Sequence, residues 1–183
     1  DADLSFTGQT KTYTLNSVSD AAISGTVKFA ERSDKATVIT IELDGTTGGN
    51  THVAHIHSNS AAETGDIILH LKTINGSTGM SETIVKELND GTDISYSELL
   101  ELNGYVNAHL SETDLGTLVA QGDIGQNELT TTSTTYSLAA VNTSGISGVV
   151  TFAKRISGAT LVTVDLIGAS TAGNYPIYIY DNS

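Results

Sequence analysis

Three of the chain's five histidines fall within six residues, in Thr51-His52-Val53-Ala54-His55-Ile56-His57. Neutral imidazole is a ligand for copper, zinc and nickel, and a His-x-His pair has a definite geometry if it lies on a strand. Side chains alternate between faces, so His55 and His57 share one face, roughly 7 Å apart along the strand. Ala54 and Ile56 then point into a core. His52 falls on the face opposite His55 and is read as a structural or exposed residue. A second candidate strand, Tyr105-Val106-Asn107-Ala108-His109-Leu110, places Val106, Ala108 and Leu110 inward and Tyr105, Asn107 and His109 outward. If the two strands are neighbours, His55, His57 and His109 can meet. Three histidines with an open fourth position suit a copper or zinc site. His70 is a weaker candidate ligand. Asp114 is a candidate acceptor to fix the tautomer of His109, and Asn107 a candidate for the same supporting part. Tyr105 is read as a packing residue. The competing reading is that these are surface or hydrogen-bonded histidines left from an ancestral site, with no ligand.

Positioning these side chains requires a frame of strands, and the sequence supplies one. Thr37–Leu43 alternates cleanly, with Ile39, Ile41 and Leu43 on one side and Thr40 and Glu42 on the other. Val27 and Phe29 alternate in Gly25–Ala30. Leu69 and Leu71 alternate with His70 and Lys72 in Asp66–Lys72. Further strands are expected at Thr12–Leu15, Ser81–Leu88, Tyr105–Leu110 and Thr117–Ile124. Residues 1–10 read as a polar N-terminal arm. Ser95–Leu102 is the one helix expected, ended by Gly104. Short strands with turn signals between them predict an all-β, Greek-key β-sandwich.

Composition narrows the function classes. The chain has 183 residues, a formal net charge of -13, no cysteine and one proline. Such an acidic surface repels nucleic acid and anionic membranes, so no nucleic-acid partner is expected. No apolar run is long enough to span a membrane. Without cysteine there is no disulfide, thiolate site or cysteine nucleophile. Asp44, Glu63, Asp66 and Asp123 lack the spacing of a calcium loop. Nothing marks an activated serine or a phosphate-cradling glycine loop. The abrupt polar start at Asp1 reads as that of a processed or trimmed product.

Residues 134–183 align without a gap onto residues 11–60, at a constant offset of 123, with 19 of 50 positions identical. Tyr136 falls on Tyr13, Phe152-Ala153 on Phe29-Ala30, and Arg155 on Arg32. This is a tandem repeat. It divides the chain into an arm (1–10), a first domain (11–126), a Thr/Ser-rich linker (127–133) and a partial second repeat (134–183). A half-sandwich leaves core and strand edges uncovered. The second copy is therefore expected to pack on the first, to form a homodimer, or to be a piece of a longer protein. The repeat also exchanges the histidines: His52, His55 and His57 become Tyr175, Tyr178 and Tyr180, while Ile56 is kept as Ile179. The fold thus does not demand histidine at these places.

With Ala54-His55-Ile56-His57 and Tyr105-Val106-Asn107-Ala108-His109 in view, residues 11–126 resemble a CHRD domain, the module named after chordin. Gly65, Gly116 and Gln121 fall where that pattern has them. CHRD domains are in turn similar to the Cu/Zn superoxide dismutase fold, and His55, His57 and His109 fall on that enzyme's copper-binding histidines. The run His109–Gly116, with its Asp114-Leu115-Gly116, also resembles the enzyme. The loop Ser58–Thr64 has no histidine, so the second metal's ligands are missing, and His70 is the one candidate for the bridging place. A complete two-metal dismutase is not expected.

The resemblance implies an extracellular or envelope location, with the chain secreted or lipid-anchored before trimming. It implies a non-enzymatic binding or structural module with a protein or matrix partner and a single or vestigial histidine site for copper or zinc. The alternatives are a copper-dependent redox enzyme acting on superoxide, and a repeat spacer with inert histidines.

Overall fold

In the computed structural model the described residues are 5–20 and 22–181. In chain order the elements are β1 (Phe6–Ser17), β2 (Ser24–Arg32), β3 (Thr37–Asp44), β4 (Thr51–His52), β5 (Ala54–Ser58), β6 (Ile67–His70), β7 (Ile74–Asn75), β8 (Met80–Val85), helix α1 (Tyr96–Leu100), β9 (Asn103–Ser111), β10 (Asp114–Gly125), β11 (Leu129–Leu138), β12 (Ser147–Arg155) and β13 (Thr160–Ile167). The chain divides into two compact units. The first comprises the residues up to Leu129 together with Arg155–Ala159, and the second the remainder.

The first unit is an antiparallel sheet in the order β4-β7-β8-β3-β2-β1-β10-β9-β5-β6. β1 and β10 pair at Asn16↔Gln121 and Ser17↔Ala120, and the Val18 and Ser19 N–H groups extend the junction by donating to the Val119 and Leu118 carbonyls. At that seam the sheet curls into two layers, with β8, β3, β2 and β1 in one and β10, β9, β5 and β6 in the other. β3 and β5, separated in sequence by the two-residue β4, lie in different layers, and β8 returns to the first beside β3, which is the Greek-key crossing. The layers bury one apolar core. Leu15, Val27, Phe29, Ile39 and Ile41 come from the first layer, and Ala54, Ile56, Val106, Val119 and Ile124 from the second. The all-β sandwich expected from the alternating pattern is the fold observed.

Several expectations change. Residues 6–10 are not an arm: β1 already begins at Phe6, which pairs with Arg32, and a register shift follows before Thr10. Gly8, at φ +92, lies in that irregular stretch; glycine takes this backbone without strain. Backbone pairing extended the strand through a polar stretch that has no apolar alternation to announce it. Residues 1–4 lie outside the described residues. Residues 129–133, read as linker, are the start of β11. The helix is shorter than expected, Tyr96–Leu100. Its start is fixed by a capping box in which the Ser95 hydroxyl accepts from the Glu98 N–H and the Glu98 carboxylate accepts from the Ser95 N–H. Gly104 does not end it but sits buried inside β9.

The second unit is a three-stranded sheet, β11-β12-β13, the counterpart of β1-β2-β3. Tyr136 meets Phe152 edge-on at 6.0 Å, as Tyr13 meets Phe29 at 5.5 Å. Burial differs sharply: Tyr13 is 4% exposed and Tyr136 58%. Ile177–Tyr180, aligned with Ala54–His57, form no strand and are exposed.

Candidate metal centre

The site is built on β5 and β9, two strands far apart in sequence and paired in the second layer. Their register sets Ala54 against Ala108, His55 against Asn107, Ile56 against Val106 and His57 against Tyr105. Ala54, Ile56, Val106 and Ala108 are fully buried and hold both strands to the core. The alternation then forces His55, His57, Tyr105, Asn107 and His109 onto the other face. That face is itself well covered, and all five are largely buried.

His55, His57 and His109 come together: each offers a ring nitrogen, and the three lie within 4.8 Å of one another. Two nitrogens bound to one ion at about 2.05 Å are about 3.3 Å apart at a tetrahedral angle and about 4.1 Å apart when opposite. His55 Nδ1 and His109 Nε2 are 3.3 Å apart. The widest separation allowed by the group, 4.8 Å, closes to the tetrahedral value with movement of about 1.5 Å.

The hydrogen bonds select which nitrogen each ring presents. A carbonyl can only accept, so a ring nitrogen facing one carries the proton. His57 Nδ1 donates to the Gly65 carbonyl at 3.0 Å. Its Nε2 is buried with no hydrogen-bond partner. His109 Nδ1 donates to the Leu115 carbonyl at 2.7 Å, leaving Nε2 an acceptor within hydrogen-bond reach of His55 Nδ1. The buried Nε2 of His57, left without a partner, is costly unless something occupies it. Three imidazole nitrogens, two of them with tautomers set by backbone carbonyls, form a donor set that could hold a metal ion. Among the described residues no second such group occurs.

Electrostatics favour the neutral rings that ligation needs. Burial, followed by the neighbouring His109, His70 and His57, pulls the pKa of His55 from 6.5 down to about 4. His109 is lowered as well, chiefly by burial, against the opposing bond to Leu115.

No family model, curated protein or solved structure matches this chain.

The supporting residues are partly other than expected. Asp114 does not hold His109; its carboxylate accepts from the Thr117 N–H and hydroxyl, each at 3.0 Å, and the Leu115 carbonyl takes the place foreseen for it. Asn107 lies across from His55, and its side-chain oxygen accepts from Gln121 Nε2 at 2.8 Å. His70 pairs with His55 across β5 and β6 and stands edge-on to it at 4.9 Å. It remains exposed and outside the convergent group. His52, read as structural or exposed, is structural: it is buried, with Nδ1 against the His109 carbonyl at 3.1 Å. Leu110, expected inward, is exposed, because the register of β9 against β10 breaks near this end. Sequence reasoning gave Gly65 no role at His57, since a backbone acceptor leaves no mark in residue type.

Proposed function

We propose that this chain is a secreted or envelope-anchored β-sandwich binding module of CHRD type, holding one copper or zinc ion on His55, His57 and His109. The observation that carries the reading is the convergence of one ring nitrogen from each histidine within 4.8 Å, with the buried Nε2 of His57 left without a partner and the tautomers of His57 and His109 set by the carbonyls of Gly65 and Leu115. Copper and zinc fit a neutral, all-imidazole donor set; calcium and magnesium prefer oxygen. A bound ion would supply Lewis acidity or, for copper, one-electron chemistry. The residues' own part is to present three lone pairs and keep them dry.

A copper redox enzyme is the second reading, favoured by a donor set of three that leaves a coordination position open to a small ligand. The chain's charge of -13 opposes attraction of an anionic substrate such as superoxide. Titration calorimetry of tag-free protein with zinc or copper should give one equivalent bound, lost in the His55→Ala, His57→Ala double variant. Retention of full binding by that variant would refute the site. Dismutation by copper-loaded protein well above an equal amount of free copper would favour the enzyme.

A further inference from the structure

We propose that Tyr105 is a positioning residue for the metal centre, setting both the plane and the tautomer of His57. This rests on the metal-binding reading above.

Tyr105 and His57 are directly opposed on β9 and β5. Their rings are stacked, with centroids 4.9 Å apart and planes 19° from parallel. Tyr105 is only 3% exposed, so the phenol ring cannot swing away and His57 loses one rotational freedom against it. The Tyr105 hydroxyl accepts from the Gly65 N–H at 3.2 Å. The carbonyl of the same residue accepts from His57 Nδ1 at 3.0 Å. A closed circuit results, from Tyr105 ring to His57 ring, to Gly65 carbonyl, to Gly65 N–H and back to the Tyr105 hydroxyl.

The loop is shaped to complete it. Thr64, a β-branched residue, is held at φ +62, a left-handed backbone rarely adopted by such residues. It turns the chain immediately before Gly65. A Cβ at position 65 would meet the Ser58 carbonyl at 2.1 Å, so only glycine can approach the β5 backbone this closely. The strain and the missing side chain both serve to place one peptide between His57 and Tyr105. Without the hydroxyl the Gly65 peptide loses one of its two anchors. Without the ring His57 loses its plane, and Nε2 no longer points at one place.

The test uses the full chain and two variants. Tyr105→Phe keeps the stack and removes the hydroxyl; Tyr105→Leu removes both. Long-range proton–nitrogen NMR of chelator-treated protein reports the His57 tautomer, and zinc titration reports affinity. The parent should show His57 as a single Nδ1–H tautomer. Tyr105→Leu should show mixed tautomers and a zinc affinity 10- to 100-fold weaker, the usual effect of losing a partner that orients a ligand. Tyr105→Phe should fall between. A merely structural role would lower stability and leave the tautomer alone. An unchanged tautomer and zinc affinity in folded Tyr105→Phe, and in Tyr105→Leu where it folds, would overturn the proposal. Because the tautomer is read without metal, its change in a chain that binds no zinc would sink the metal reading and leave the hold of Tyr105 on His57 standing.

Discussion

Acid should destabilise the metal-free protein through His55 in particular. In the unfolded chain this histidine titrates near 6.5; in the fold it titrates at about 4. Between those values the unfolded state carries the proton and the folded state does not. Unfolding therefore takes up a proton in this window, and stability rises with pH across it and is lost as pH falls. The full gap is about 2.5 pH units, or about 3.4 kcal/mol at 1.36 kcal/mol per unit. At pH 4 the folded group is half-protonated, so the loss from pH 7 is about 3 kcal/mol. That is a large share of the 5–15 kcal/mol of an ordinary domain. His55 is 5% exposed, so solvent screening does not erode the effect. The 21 carboxylates also titrate toward acid, so the assay must be differential. Urea unfolding of parent and His55→Asn, both with chelator, is compared at pH 7 and pH 4. The parent should lose about 3 kcal/mol more than the variant over that interval. Equal losses would refute the account of a neutral, desolvated imidazole at this position.

Three further outcomes follow from local structure. Thr64→Asn replaces a β-branched residue at φ +62 with one that tolerates the left-handed region, and should raise stability by about 1 kcal/mol in thermal or urea unfolding; a loss would mean the side chain makes a contact worth more than the strain. Ser95→Ala removes the capping box of α1 and should cost about 1 kcal/mol, measured the same way. The repeat supplies its own control for the core: Phe29→Ala, fully buried, should cost about 3–5 kcal/mol, whereas Phe152→Ala, half-buried in the second unit, should cost clearly less. Equal costs would mean that the second unit's face is covered in solution, and sedimentation analysis would show whether a second copy covers it.

Much of this molecule is legible from side-chain alternation. Ile39, Ile41 and Leu43 of β3, and Ala54 and Ile56 of β5, lie buried as their period of two requires. The same period places His55, His57 and His109 on a shared face once β5 and β9 are neighbours, and the Greek-key order makes them so. Where backbone atoms act, residue types are silent. The acceptors for His57 and His109 are the carbonyls of Gly65 and Leu115, and nothing in either residue's type names the partner; Asp114, the obvious acceptor by chemistry, is occupied by Thr117. Strand β1 runs back to Phe6 because backbone pairing with β2 does not need an apolar pattern. His52 falls by the same alternation on the side of Ala54 and Ile56 and is buried there; its backbone acceptor, the His109 carbonyl, is again one that no residue type announces.

The claim on which all else depends is that one ion is shared by β5 and β9. Electron paramagnetic resonance of tag-free protein loaded with one equivalent of copper(II) tests it most directly. The account predicts nitrogen hyperfine structure from three imidazoles, falling to two in His109→Asn while copper remains bound more weakly. A spectrum and affinity unchanged by His109→Asn would contradict it, because the copper would then lie on some other set of residues.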